Sequence, residues 1–588
     1  MTLSHAATGE WWRNAVVYQI YPRSFVDSNG DGIGDIPGVV SKLDYLKSLG
    51  VDVVWLSPFY PSPQVDNGYD ISDYQGVDPT FGTLNDLDAL IAGLHERGMK
   101  FMTDIVINHS SDQHPWFVDS RSSLASAKRD WYIWRPARPG ATPGEPGAEP
   151  TNWLGFFGEN AWTYDEVSGE YYLHLFCKEQ PDLNWENAEL RQELYAMMRW
   201  WLDRGVDGFR MDVINLISKS QPFVDSTVKA GATHFEAGAA FAGGPRLGEF
   251  LAEMHREVNG STDKVLLTVG EMPGTVALDA AAYTDPANRQ VDMIFQFEHM
   301  DIDRGPDGRY DPVPWRLSDL KRTLGRWQSA LAGTGWNSLY WGNHDQSRPV
   351  SRFGSKRPDL REDSAKMLAT VLHLHRGTPY VYQGEELGMA NYPFESIDDF
   401  DDVDAHNSYR IAQDGGHGVD TVLQGLRHLG RDNSRTPMQW DDTPNAGFSA
   451  GTPWLSVNPD YRTVNVAAQT NRSGSVLQHY RRLIEFRHSS DTVALGEFHM
   501  LLPDDETIYA FTRTRGKEQL LVVANFSDGD ADVFLDVADW NELVMTSHHD
   551  GLGPGGPGRL RPREARIYRR LTTATPVADN CSPHELDH

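Results

Sequence analysis

Short apolar, β-branched runs recur along the chain, and each ends in polar residues. In order they are VVYQIYPRSF (16–25), VDVVWLSP (51–58), KFMTDIVINH (100–109), VDGFRMDVI (206–214), VLLTVGEM (265–272), VDMIFQFEH (291–299), NSLYWGNHD (337–345) and PYVYQGEEL (379–387). Between several of them lie stretches with apolar residues at helical spacing: LDYLKSLG (43–50), LNDLDALIAGLHERG (84–98) and LRQELYAMMRWWLDRG (190–205). Each of these ends in glycine, a helix stop. Strand–helix alternation repeated eight times predicts an α/β fold, a parallel (β/α)8 barrel.

Two gaps break this rhythm. Residues 110–185, with the Pro/Gly-rich patch RPARPGATPGEPGAEP (135–150), are too many for a βα loop and predict a small inserted domain after the third strand. A second excursion spans roughly 390–455, before the helical pattern SVLQHYRRLIEFRH (475–488). From about 491 the pattern alternates, in ETIYAFTRTR, EQLLVVANF, ADVFLDV and REARIYRR, as in an antiparallel sheet. The expected division is a barrel of 1–109 and 186–490, an insertion of 110–185, a C-terminal β domain of 491–571 and a loose tail of 572–588.

Composition narrows the function. The 588 residues exceed the roughly 250–300 that one core can hold, so several domains are expected. The net charge of −30, from 53 basic and 83 acidic residues, disfavours a nucleic-acid partner and suits a neutral substrate. Cys177 and Cys581 are too few for a disulfide framework. The N-terminus lacks the basic and apolar regions of a signal peptide, and no run of about 18 apolar residues could span a membrane, so a cytoplasmic protein is expected. The 18 Trp and 22 Tyr suit sugar stacking and suit a large aromatic core equally well.

Polar residues gather at the C-terminal ends of the predicted strands, the face of a barrel that carries its active site. His109 ends the third strand, Arg210 and Asp212 the fourth, Glu271 the fifth, and His344 and Asp345 the seventh. Glycosidic cleavage needs two carboxyls, one to attack the anomeric carbon and one to protonate the leaving oxygen; they lie roughly 5–5.5 Å apart when configuration is retained. Arg210, two residues before Asp212 and so on the same strand face, favours the ionised form of Asp212 and hence its role as nucleophile. Glu271 is then the acid/base. Asp345 can stabilise positive charge in the transition state, while His109 and His344 can hydrogen-bond sugar hydroxyls.

The segments DIVINH (104–109), GFRMDVIN (208–215), GEM (270–272) and NHDQSR (343–348) resemble the four conserved blocks of glycoside hydrolase family 13, in their order, and QPDLNW (180–185) resembles its fifth block in the oligo-1,6-glucosidase form. The resemblance runs over nearly the whole chain and implies the same three catalytic roles. It also implies that Tyr69 stacks on glucose, that Asp70 in NGYDISDY and Arg435 in RDNSRTPMQW grip the non-reducing glucose, and that Phe156 and Phe157 line the entrance. Pinning the terminal 4-hydroxyl would close the pocket and make the enzyme exo-acting. Val213, directly after the nucleophile, goes in this subfamily with α-1,6 preference, whereas Thr or Ala goes with α-1,4. An α-1,4-preferring maltase, a transglucosylase and a sucrose isomerase share the pattern. Isomerases carry a charged RLDR-type motif, whereas MDIDRGPDGRYDP (300–312) is closer to oligo-1,6-glucosidases. Transporter ectodomains of this fold carry a membrane span and generally lose the carboxylates.

A structural cation, Ca2+ or Mg2+, is a further expectation. DSNGDGIGD (27–35) offers Asp27, Asn29, Asp31 and Asp35, with the carbonyl of Ile33. It starts as an EF-hand does, but the twelfth position is Gly38 rather than Glu. An Asx-rich turn without metal fits the same letters; the resemblance favours the cation.

Overall fold

A computed structural model describes residues 10–227, 240–306, 310–416, 418–535, 540, 542–548, 550 and 558–572. The N-terminal nine residues, part of the isomerase-discriminating stretch, Cys581 and all of the expected tail after Thr572 lie outside the described residues.

The strands, in chain order, are β1 (Val17–Ile20), β2 (Val53–Leu56), β3 (Lys100–Ile105), β4 (Trp134–Arg135), β5 (Trp162–Asp165), β6 (Glu170–Leu173), β7 (Gly208–Met211), β8 (Leu267–Glu271), β9 (Met293–Phe295), β10 (Ser338–Leu339) and β11 (Thr378–Tyr382). Eight of them form one parallel sheet in the order β10-β11-β1-β2-β3-β7-β8-β9. A parallel bridge between Ile294 and Asn337 joins the two ends and closes the barrel. The near-continuous apolar runs are explained by burial on both faces. The strands are shorter than the runs that mark them. The seventh run, nine residues long, contributes only the two-residue strand Ser338–Leu339 and the bridging Asn337, and its remainder leaves the barrel as the loop that carries His344 and Asp345.

Helices cover the outside. Helix Leu84–Glu96 starts in a capping box between Thr83 and Asp86 and buries Leu87, Leu90, Ile91 and Leu94. Helix Ala188–Asp203 is capped by Asn187, and helix Leu43–Leu49 ends at Gly50, whose φ of 96° needs glycine.

After β3 the chain leaves the barrel and builds the antiparallel sheet β4-β6-β5. Its apolar core is not self-contained. Trp153, Trp162 and Leu173 pack with Val213, Leu216 and Phe241, which follow β7. The inserted unit therefore shares its core with the segment after β7 and is anchored next to Asp212. The second excursion is helical, with helices Val403–Asp414, Val419–Leu429 and Asp432–Arg435, and a small core of Tyr310, Phe394, Phe400, Ala405, Leu426 and Leu429. Beyond residue 496 a five-stranded antiparallel sheet, ordered 497–501, 508–515, 518–525, 565–571 and 542–546, packs on the barrel. Buried Arg513 crosses that junction, donating to the carbonyls of Leu374 and Gly496. Among the described residues, no helix is long and apolar enough to cross a membrane.

Candidate active site

The carboxylates converge on one guanidinium. Arg210, on β7 and fully buried, donates from Nη1 to Asp104 (2.7 Å) and Asp212 (2.6 Å), and from Nη2 to Glu271 (2.5 Å). Asp104 comes from β3 and Glu271 from the end of β8, so adjacent strands supply all four groups. Asp104 also accepts from Trp55 Nε1 (2.8 Å), which holds Arg210 from below. Burial pushes Asp104 up to about 6 against the pull of Arg210.

Asp212 and Glu271 thus sit on the two terminal nitrogens of one guanidinium. Burial raises the Asp212 pKa well above the carboxylate range; Arg210 opposes this, and the charges of Glu271 and Asp104 reinforce it. Arg210 bonds both carboxyls, so its position next to Asp212 in sequence does not by itself decide which is ionised. Two carboxyls held on the two nitrogens of one guanidinium fit the short spacing of a retaining pair better than the roughly 6.5–9.5 Å that an inverting pair needs for its water. The Val213 N–H donates to Glu271 Oε2 at 3.2 Å. That contact depends on a left-handed backbone at Val213 (φ 36°, ψ 42°), which is rare for a β-branched residue.

His344 and Tyr69 form a second layer. Their rings stack at 5.2 Å and 7°, and Tyr69 Oη lies 2.6 Å from His344 Nε2. Gln19 Nε2 donates to His344 Nδ1 at 2.8 Å, which leaves the ring proton on Nε2, facing Tyr69 and Asp345. Burial lowers His344 to about 3 and His109 to about 4, so both are neutral dipoles at ordinary pH. His109 lies 3.2 Å from Gln180 Nε2 and packs on Phe176.

At the far side Asp345 accepts from Arg435 (2.9 Å) and Arg431 (3.3 Å). Arg431 reaches on to Asp66 (3.2 Å), is gripped by buried Asp402, and lies 5.1 Å over the ring of Phe157. Phe156 instead stacks on Phe176, with centroids 5.0 Å apart.

The expectation for Asp70 is corrected here. Its carboxylate is fully buried and accepts from Ser62 Oγ, Val65 N and Asp66 N, so it shapes the loop and does not face the site. Asp66 is the aspartate that meets Arg431 and Gln180. Between the two, Asn67 (φ 49°) and Gly68 (φ 103°) turn the chain, so only one of the two aspartates faces inward. Arg435 does reach Asp345, but Arg431 is the arginine that meets Asp66; the two are four residues apart in one helical turn. Gln180 was likewise missed, although it stands in the quoted QPDLNW block; it donates to Asp66 at 3.2 Å. Nothing in the letters alone separates these residues from their neighbours.

The Asp27–Asp35 loop folds as consecutive Asx turns. Asp27 accepts from the N–H groups of Asn29, Gly30 and Gly32, Asn29 from Asp31, Asp31 from Ile33, and Asp35 from Ser28 and Gly38. The donor set is all oxygen, as a hard cation requires. Among the described residues, no group of three or more His, Cys, Asp or Glu side chains is drawn together as a ligand set.

Residues 19–496 match the family model for the α-amylase catalytic domain. The chain is 52% identical to an oligo-1,6-glucosidase of Parageobacillus thermoglucosidasius, over 95% of this chain and 99% of that one, and 44% identical to a trehalose-6-phosphate hydrolase of Bacillus subtilis, over 95% and 98%. Its fold is similar to that of an isomaltulose synthase of Erwinia rhapontici solved with sucrose, at a TM-score of 0.90 and 42% identity, covering 96% of this chain and 99% of that one. The resemblance first carried by short blocks thus holds over almost the full length of the chain, which belongs to the α-amylase family of glycoside hydrolases.

Proposed function

We propose that the protein is a retaining, exo-acting α-glucosidase that removes terminal glucose from short α-linked oligosaccharides, α-1,6 links included. The observation that carries this reading is the convergence of Asp212 and Glu271 on the two terminal nitrogens of Arg210. Asp212 attacks the anomeric carbon, and Glu271 gives its proton to the leaving oxygen and later takes one from water. Asp345 stabilises the cationic transition state, and neutral His109 and His344 bond the sugar hydroxyls. The Asp66–Arg431–Asp345 chain of charges supports an exo mode, since it can bind a terminal hydroxyl. Val213 directly follows the nucleophile, and its packing with Leu216 and Phe241 fixes the backbone there; the α-1,6 preference rests on the family resemblance.

Purified enzyme should release glucose from isomaltose faster than from maltose, with the α-anomer appearing first, and Asp212→Asn should lower kcat by about 10⁴-fold or more. β-Glucose as first product, or an active Asp212→Asn, would sink the mechanism; a preference for maltose would remove only the α-1,6 reading. The likeness to sucrose isomerases keeps a second outcome in view, transfer to a sugar rather than to water, and product analysis at high sugar concentration separates the two.

A divalent cation at the Asp27–Asp35 loop is part of this proposal, supported by its oxygen donors. Chelation should then lower the thermal midpoint by several degrees, with Ca2+ or Mg2+ restoring it; an unchanged midpoint in EDTA together with no binding heat on Ca2+ titration would reject the site. A cytoplasmic setting is also proposed, supported by buried, unpaired Cys177, and cell fractionation checks it.

A further inference from the structure

Lys219 lies seven residues beyond the nucleophile, and its side chain is buried at 3% exposure. Its ammonium meets three parts of the fold at once. It pairs with Asp182 Oδ2 of the inserted unit at 2.8 Å, donates to the Leu216 carbonyl at 2.7 Å, and donates to Asn108 Oδ1, beyond β3, at 3.2 Å. Asp182 is itself fully buried and bridges backbone to backbone with His109.

Leu216 closes the short turn Ile214–Leu216 that begins at Val213, and its own N–H returns to the Val213 carbonyl at 2.9 Å. The left-handed backbone of Val213 is strained for a β-branched residue, and such strain persists only where the surroundings over-determine it. The last carbonyl of the turn is satisfied by the ammonium, in the way a basic group caps a helix end. Asn215, inside the same turn, donates to the Pro273 carbonyl at 2.8 Å, two residues past Glu271. The turn therefore lies between both reacting carboxyls, and Lys219 holds its far end.

We propose that Lys219 is a positioning residue for catalysis: its ammonium, neutralised by Asp182, holds the strained turn after Asp212 in the shape that places the Asp212 carboxyl and the Val213 N–H against Glu271. This rests on Asp212 being the nucleophile. Lys219 touches no reacting atom. Removing its hold lets the turn relax, and Asp212 loses its line of attack while the sugar-binding groups on the other strands stay where they are.

A simple truncation leaves Asp182 as an unpaired buried charge and can unfold the protein for that reason alone. The double variant Lys219→Met/Asp182→Asn avoids this and is compared with Lys219→Met and wild type. The readouts are kcat on an aryl α-glucoside, competitive inhibition by glucose, and amide hydrogen exchange. In the double variant kcat should fall about 100-fold, the scale expected when a reacting group is displaced by about an ångström. The glucose inhibition constant should stay within about threefold. Exchange should rise in peptides covering 212–217 and not elsewhere in the barrel. A kcat near wild type, or a parallel loss of turnover, glucose binding and protection across the whole barrel, would overturn the assignment. If wild type turns over no α-glucoside, the nucleophile reading has failed instead, and the exchange measurement still decides whether Lys219 holds the turn.

Discussion

Two aspartates four residues apart have opposite duties in this fold, and substitution separates them. Asp66 accepts from Arg431 and Gln180 at the end of the site, whereas Asp70 accepts three donors inside its own loop. Asp66→Asn removes an acceptor bonded to a guanidinium, an interaction of about 1.5–3 kcal/mol, so kcat/KM for isomaltose should fall about 10- to 100-fold with little change in the thermal midpoint. Asp70→Ala leaves buried donors unmet and should lower stability by about 1–3 kcal/mol, with KM of the surviving folded enzyme near wild type. Steady-state kinetics and thermal unfolding on both variants check this, and the reverse pattern would restore Asp70 to the site. The same pair shows what was legible at this scale. That Asp212, Glu271, Asp345 and both histidines come together was readable, because strand ends on a barrel must point at one rim. Asp66 was not, because a left-handed turn at Asn67 and Gly68, invisible in the letters, decides which aspartate faces in.

Between elements, the mouth of the site is spanned by two pieces of chain that are far apart in sequence. The loop carrying Phe156 and Phe157 is drawn into a tight turn by the Leu154–Asn160 bridge. On one side the Phe157 ring lies under Arg431; on the other Glu159 pairs with Arg410 of helix Val403–Asp414. Gly158 sits at the tip with φ 82°, and a Cβ there would come within 2.9 Å of the Ile411 side chain. Gly158→Ala therefore meets a left-handed backbone, while the exposed end of Ile411 can turn away from the new methyl, so the tip of the loop must re-form to leave that backbone conformation. Since Phe157 moves with it, we expect KM for short oligosaccharides to rise about three- to tenfold, with a stability cost of about 1–2 kcal/mol. Glu159→Ala breaks only an exposed ion pair and should change stability by less than about 1 kcal/mol. A KM in Gly158→Ala equal to wild type would show that the loop tip does not shape the mouth. The helix that meets this loop was not legible beforehand, because region 390–455 gains its structure from a small core of its own, to which Tyr310 contributes from another part of the chain.

For the whole molecule, the barrel was legible because eight apolar runs with helical stretches between several of them permit little else. The dependence of the insertion's core on Val213, Leu216 and Phe241 was not, since it is made only when the chain closes. Closure also buries many titratable groups, and these set the acid limit of the enzyme. Burial lowers His109, His114, His174 and His299 to about 4, and His344, His373 and His375 to about 3. In the unfolded chain each takes up its proton near 6.5, whereas in the folded protein each stays neutral until pH 3 or 4. Below about pH 6.5 the unfolded state thus binds more protons, and each such group costs about 1.4 kcal/mol of stability per pH unit. Seven of them acting together exhaust a total stability of about 5–15 kcal/mol within a pH unit or two. The stability from these histidines is therefore complete above about 6.5 and is lost as pH falls toward 4. Glu385 runs the other way: burial raises its pKa well above the carboxylate range, so its burden grows as pH rises from about 4.5. His373 is the group to test, because both its ring nitrogens are buried without a hydrogen-bond partner and it lies in helix Arg361–Leu374, away from the site. His373→Leu should leave kcat unchanged at pH 7, take up about one proton fewer on unfolding at pH 5, and shift the acid unfolding midpoint to lower pH. Thermal midpoints between pH 4 and 8 measure the slope; an identical slope in wild type and variant would mean that His373 is already protonated in the folded state and that the acid limit lies with the carboxylates around Arg210 and Arg431.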